Sequence, residues 1–232
     1  MGNALTFKAN EPLAQARGML DPLRTDLNWV HLHRKLFWAV VREIDRNAIP
    51  KSPTWRAHYA RLYVDGQSIA VRRLIGGARF QRDEASLTRL LSLLRDNAST
   101  ITIDRLGAIA AAVASATRPE DIARHRDAVE RHWGDGSGVL DASRIESDLA
   151  KLAKDTAQIR KWATKTVAHL NLEKPDPPSF GKLDEAVTDA TGVFRSYGIL
   201  LAATDYAVDE TEPDLGWWVP LHDMFADRPV DP

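Results

Sequence analysis

Two lysines and a histidine recur at intervals of four residues between positions 160 and 169. Lys161, Lys165 and His169 therefore lie on one stripe if this segment is an α-helix. Neighbouring cations oppose protonation of an imidazole, so His169 would stay neutral near pH 7 and could accept a proton. With the lysines and Arg160 placed to stabilise phosphate charge, the group suits cleavage of a phosphodiester. The alternative is a solvated basic face with one histidine near a helix end.

Adjacent arginines form a second candidate for phosphate binding. Arg72 and Arg73 stand at the end of an apolar segment. On a helix, adjacent side chains diverge by about 100°, so at least one arginine can point towards the core or a neighbouring helix. A buried guanidinium needs a carboxylate, a carbonyl or a bound phosphate as its partner. The pair therefore indicates either structural ion pairing or phosphate binding.

The residue types also exclude several kinds of chemistry. The chain has no cysteine, which removes thiol nucleophiles, cysteine-ligated zinc and iron–sulfur clusters. Its seven histidines form no His-Glu-x-x-His motif, and no phosphate-binding loop or Gly-x-Ser-x-Gly elbow occurs. His125 and His132 could share a helix face, but the spacing supplies no third ligand. We therefore expect no metal and no cofactor.

The net charge of −1 conceals two unlike parts. Residues 205–232 carry eight acidic side chains and one basic side chain, a charge of −7, whereas the remaining residues carry 30 basic and 24 acidic side chains, a charge of +6. A basic body with an acidic tail could bind a polyanion for which the tail competes. No apolar run approaches the ~20 residues of a membrane span, and no secretory signal is visible, so we expect a cytoplasmic protein that does not bind membranes.

Helical periodicity dominates the chain, and strand signals are nearly absent. The segments predicted to be helical are 26–47, 53–76, 86–94, 104–116, 117–133, 143–170 and 182–204. The longest has apolar residues at alternating steps of three and four, as in a packed bundle. We predict an all-α fold, a single bundle of about six to eight helices over residues 1–204. The tail, 205–232, contains Trp217 and Trp218 and is predicted to pack on the bundle.

The order of three short elements resembles the HEPN superfamily of all-α domains, in particular its branch associated with abortive phage infection. The three elements are Ser68-Ile69-Ala70-Val71-Arg72-Arg73-Leu74, Ser86-Leu87-Thr88-Arg89-Leu90-Leu91 and Lys165-Thr166-Val167-Ala168-His169. The resemblance spans roughly residues 26–204. It implies a homodimer in which helices from two protomers form a composite site that cleaves RNA without a metal. His169 would be the general base or acid, with Lys165 stabilising the phosphate together with Arg72 or Arg73.

One departure from the family pattern leaves a second interpretation open. The family signature has four to six residues between an arginine and the histidine, and here the positions that would hold the arginine are Trp162, Ala163 and Thr164. The chain is therefore either an endoribonuclease that obtains its cation elsewhere or a non-catalytic HEPN-like module that binds RNA or protein. In both cases a cognate antitoxin or another defence-system protein is a candidate partner.

Overall fold

The computed structural model describes residues 11–46, 53–76, 85–116, 118–167 and 175–206. Its α-helices are α1 (Pro12–Gly18), α2 (Leu20–Arg46), α3 (Pro53–Ile75), α4 (Leu87–Asp96), α5 (Ile103–Val113), α6 (Pro119–Trp133), α7 (Ala142–Asp155), α8 (Ala157–Trp162) and α9 (Phe180–Ala202). Only isolated β-bridges, and no strand, occur within these ranges. If α7 and α8 are counted as one interrupted helix, the described residues form eight helices. The all-α prediction is confirmed.

The N-terminal part of the bundle differs from the prediction. Helix α1 was not expected, and α2 begins at Leu20 rather than at Asp26. Leu20, Leu23 and Leu27 are all buried and extend the apolar stripe of α2 towards its start. Pro22 does not prevent this, because the first turn of a helix leaves its N–H groups without intrahelical acceptors in any case.

The predicted continuous helix over residues 143–170 is wrong. Helix α7 ends at Asp155, Thr156 interrupts the helix, and a π-helical turn, Ala163–Val167, follows α8. The buried Thr156 hydroxyl donates to the Leu152 carbonyl oxygen at 2.7 Å, a back-bond that bends helices. The helix is also capped earlier than expected, since the Asp141 carboxylate accepts from the backbone N–H groups of residues 143 and 144.

Helix α2 packs against both α3 and α9, which also contact each other, and it runs antiparallel to both. Two hydrogen bonds align α2 with α3: Arg73 Nη2 to Asp26 Oδ1 at 2.9 Å, and Gln67 Nε2 to the Val30 carbonyl oxygen at 3.0 Å. Towards α9, His31 Nε2 of α2 lies 2.8 Å from Thr191 Oγ1. The Phe37 ring stacks on Tyr63 of α3 with centroids 3.9 Å apart and touches Phe180 of α9 at 5.2 Å. These contacts join the three helices into the main apolar core.

Two buried tyrosines differ in whether their hydroxyl groups are hydrogen-bonded, so their phenylalanine variants should differ in stability. The Tyr197 hydroxyl donates to Asp148 Oδ2 at 2.8 Å, and burial raises its pKa, so the donor proton is retained. The buried Tyr63 hydroxyl has no hydrogen-bond partner among the described residues. We expect Tyr197→Phe to lower the free energy of unfolding by about 1–2 kcal/mol and Tyr63→Phe to change it by less than about 0.5 kcal/mol or to raise it. Urea denaturation of both variants measures the difference, and equal losses would contradict it.

Candidate functional site

The indole of Trp162 attaches α8 to α3. Its ring is buried, and Nε1 donates to Asp65 Oδ1 at 2.9 Å. The Arg61 guanidinium lies 4.4 Å from the centroid of the same ring, and Arg61 Nε donates to Asp65 Oδ2 at 2.7 Å. Arg61 and Asp65 are one helical turn apart, so both reach Trp162 from one side of α3. The arginine, the carboxylate and the indole therefore form a closed set of contacts, which we call the Trp162 cluster.

The predicted cations of α8 and the π turn lie within three residues of Trp162 along the chain. Lys161 and Lys165 are exposed, and Arg160 is half-buried. The side chains of these three residues form no ion pair or hydrogen bond with a residue that the structure describes. A phosphate group could therefore approach the two lysines without first displacing an acidic side chain of the described bundle.

A π turn interrupts the α-helix on which the predicted stripe is drawn. Lys161 lies in α8 and Lys165 in the π turn, so the predicted α-helical conformation is wrong over Ala163–Val167. His169 lies outside the described residues, so its place on one stripe with Lys161 and Lys165 and its catalytic role both stay predictions. Single π turns in α-helices are frequent at functional sites.

The second predicted pair of cations ends α3. Both arginines are exposed: Arg73 pairs with Asp26 of α2, and Arg72 has no partner among the described residues. Of the two interpretations, structural ion pairing therefore holds for Arg73, which pairs with a carboxylate of a neighbouring helix and does not enter the core. Arg72 lies two turns, about 10 Å, beyond Asp65 on the same side of α3. The described contacts do not bring either arginine to α8.

Arg61 is the arginine that sequence reasoning missed. It stands next to Trp162, which itself occupies one of the positions where the family signature has an arginine. The only sequence signal was the four-residue spacing between Arg61 and Asp65. The contact of Asp65 with Trp162 spans 97 residues, and no local pattern indicates it.

No protein-family model matches the chain, and neither a curated protein nor a solved structure does. The resemblance to the HEPN superfamily accordingly remains a hypothesis.

The described histidines have structural surroundings or lie on the surface. The Thr191 hydroxyl donates to the Val187 carbonyl oxygen at 2.7 Å, so the buried His31 donates to Thr191 through Nε2. His132 is exposed on the last turn of α6. Within the described ranges no three histidine, aspartate or glutamate side chains come together as metal ligands. No helix in those ranges has the length and apolar character needed to span a membrane.

Proposed function

We propose that the protein is a HEPN-like endoribonuclease of the phage-defence or toxin type, acting on RNA without a metal. The observation that carries the proposal is the position of Arg61, which reaches the segment before His169 from another helix. An arginine thus contacts Trp162, the residue that follows Lys161, although the motif position itself holds none. A cytoplasmic homodimer would assemble the site from two protomers, and an antitoxin or defence-system protein would control it.

The proposed reaction uses groups of this chain alone. His169 accepts the proton of a ribose 2′-hydroxyl, and the 2′-oxygen attacks the adjacent phosphorus. The bond to the 5′-oxygen breaks, and that oxygen takes a proton from the second protomer's general acid. Lys165 and Arg61 stabilise the additional negative charge on the phosphorus oxygens in the transition state. The products are a 2′,3′-cyclic phosphate end and a 5′-hydroxyl end.

Cleavage of single-stranded RNA by the full chain in EDTA tests this function. We expect products with 2′,3′-cyclic phosphate ends and a rate about 10²–10⁴-fold lower for His169→Ala, the usual contribution of a general acid or base. His132→Ala is the matched control, since that exposed histidine lies on α6. Equal cleavage by wild type and His169→Ala, or no cleavage by either, would exclude the enzyme.

A specific observation favours the second candidate, a non-catalytic RNA-binding module. Asp65 binds Arg61 and Asp26 binds Arg73, so these guanidinium groups already have carboxylate partners within the bundle. Of the cations singled out from the sequence, Arg72, Lys161 and Lys165 are exposed and have no carboxylate partner among the described residues. On this hypothesis RNA binds but is not cleaved. Charge reversal at Lys165 weakens RNA binding, and the slope of log K against log salt concentration falls by an amount equal to about one phosphate contact. Lys182→Glu is the matched control, because Lys182 already pairs with Glu185.

A further inference from the structure

Three large apolar side chains of α2 and α3 are exposed on one side of the bundle. The exposed fractions are 56% for Trp29, 55% for Leu62 and 47% for Ile69. Leu62 and Ile69 are seven residues apart, so they share the outward face of α3 with the exposed Gly66 between them. Exposed apolar side chains that are grouped on one face indicate a binding partner.

Trp29 belongs to the same surface because of the antiparallel alignment of α2 with α3. The hydrogen bonds of Arg73 to Asp26 and of Gln67 to Val30 place residues 29 and 69 at one level of the helix pair. Leu62 lies two turns, about 10 Å, further along. Arg72 and Arg73 stand at the opposite end of this surface, at the level of Asp26. We call this surface, with its basic end, the α2/α3 face.

The described chain ends near the level of that basic end, on the side of α2 that faces α9. Asp205 accepts from Arg195 Nε at 2.8 Å, and the Tyr206 ring packs against Phe194 with centroids 5.5 Å apart. The Arg24 guanidinium of α2 lies 5.5 Å from the Tyr206 ring centroid. Asp205 and Tyr206 therefore attach the start of the tail to α9 and α2. Arg24 is two residues, about 3 Å along the helix axis, from the level of Asp26.

The sequence of residues 207–232 complements this face: acidic residues that can pair with its arginines come first, and tryptophans that can pack on its apolar side chains follow. They carry seven acidic side chains and one basic side chain, and the first four acids, Asp209, Glu210, Glu212 and Asp214, precede Trp217 and Trp218. Starting from Tyr206, the face likewise presents its arginines first and its apolar side chains afterwards. The 11 residues to Trp217 span up to about 36 Å, enough to cross α2, which is about 10–12 Å wide.

We propose that residues 207–232 of the same chain dock on the α2/α3 face. The acidic stretch covers Arg72 and Arg73, and the two tryptophans cover Trp29 and Ile69. Because Arg72 is one of the cations available to phosphate, the docked tail would compete with RNA. That consequence rests on the proposed function, whereas the docking itself does not.

Cross-linking tests the docking without RNA. Because the chain has no cysteine, two introduced cysteines are its only thiols. In the full chain we pair Val219→Cys with Ile69→Cys, and as a control with Ile122→Cys, which replaces an exposed isoleucine of α6. Under mild oxidation we expect an intramolecular disulfide with Ile69→Cys at a yield at least about tenfold above the control, because docking raises the effective concentration. Non-reducing electrophoresis and mass spectrometry of linked peptides measure it.

Other results overturn the proposal. A covalent dimer would show that a second copy occupies the face, and equal yields or no disulfide would show that the tail lies elsewhere. Neutralising the four acids of residues 209–214 is expected to lower the yield several-fold at low salt, and an unchanged yield would contradict the role of charge. If the disulfide forms and RNA binding nevertheless proves independent of it, the RNA hypothesis for Arg72 fails while the docking stands.

Discussion

Replacing Trp162 with alanine is expected to lower the free energy of unfolding by about 3–5 kcal/mol, the range for large aromatic residues removed from a core. Trp162 is buried and is the residue through which α8 contacts Asp65 and Arg61 of α3. Its removal leaves a cavity and an Asp65 carboxylate without its indole donor. Because α8 leads to Lys165, loss of this attachment would also displace the lysine.

A conservative variant separates packing from hydrogen bonding at this position. Trp162→Phe retains an aromatic ring but loses the Nε1 donor, so we expect a loss of about 1.5–3 kcal/mol, the range for a hydrogen bond to a charged group. A double-mutant cycle with Asp65→Ala isolates that bond, because its contribution vanishes once either partner is gone. Guanidinium denaturation measures all four proteins. A loss below about 1 kcal/mol for Trp162→Ala would contradict the packing described for α8.

Gly76→Ala is expected to cost about 1.5–4 kcal/mol of stability, from two effects at the end of α3. Gly76 has φ of +87°, where an alanine is strained by about 1–2 kcal/mol. An added Cβ would also clash with Ser86 Oγ. That oxygen caps α4 by accepting from the Arg89 backbone N–H at 3.3 Å, so turning it away removes a cap worth about 0.5–2 kcal/mol.

Two further variants divide these effects. Gly136→Ala is the matched control, because Gly136 has φ of +84° but nothing within 4 Å of an added Cβ, so only the backbone strain of about 1–2 kcal/mol applies. In a Ser86→Gly background the clash disappears, and Gly76→Ala should then cost no more than Gly136→Ala. Thermal and urea unfolding provide the values. An undiminished cost in the Ser86→Gly background would show that the Ser86 contact is not the cause.

Most helices of the bundle could be predicted from local signals, and particular residues show why. Pro53 begins α3 and Ser86 caps α4, as proline and serine do at helix starts generally. The interruption at Thr156 was not predictable, because the apolar spacing of α7 continues into α8 without a gap. A threonine hydroxyl can bond to the carbonyl four residues earlier or stay in solvent, and only its burial against neighbouring helices decides between them.

The candidate site divides in the same way. The sequence alone singled out Lys161, Lys165, Arg72 and Arg73 as candidate cations, but it left open whether each faces solvent, pairs within the bundle or binds phosphate. It could not identify Arg61, whose partner Trp162 is about a hundred residues away along the chain.

The sequence by itself thus determined the all-α class, the apolar stripe of most helices and the split of charge between body and tail. These properties depend on residues within a few turns of one another or on composition. Only the tertiary structure decided which stripes meet, that Arg73 pairs with Asp26, and that Arg61 joins Trp162. The physical reason is that helix packing depends on the shapes of whole helix surfaces, which come from segments far apart in the sequence. Hydrophobic periodicity shows which face of a helix is buried, but not which other helix it packs against.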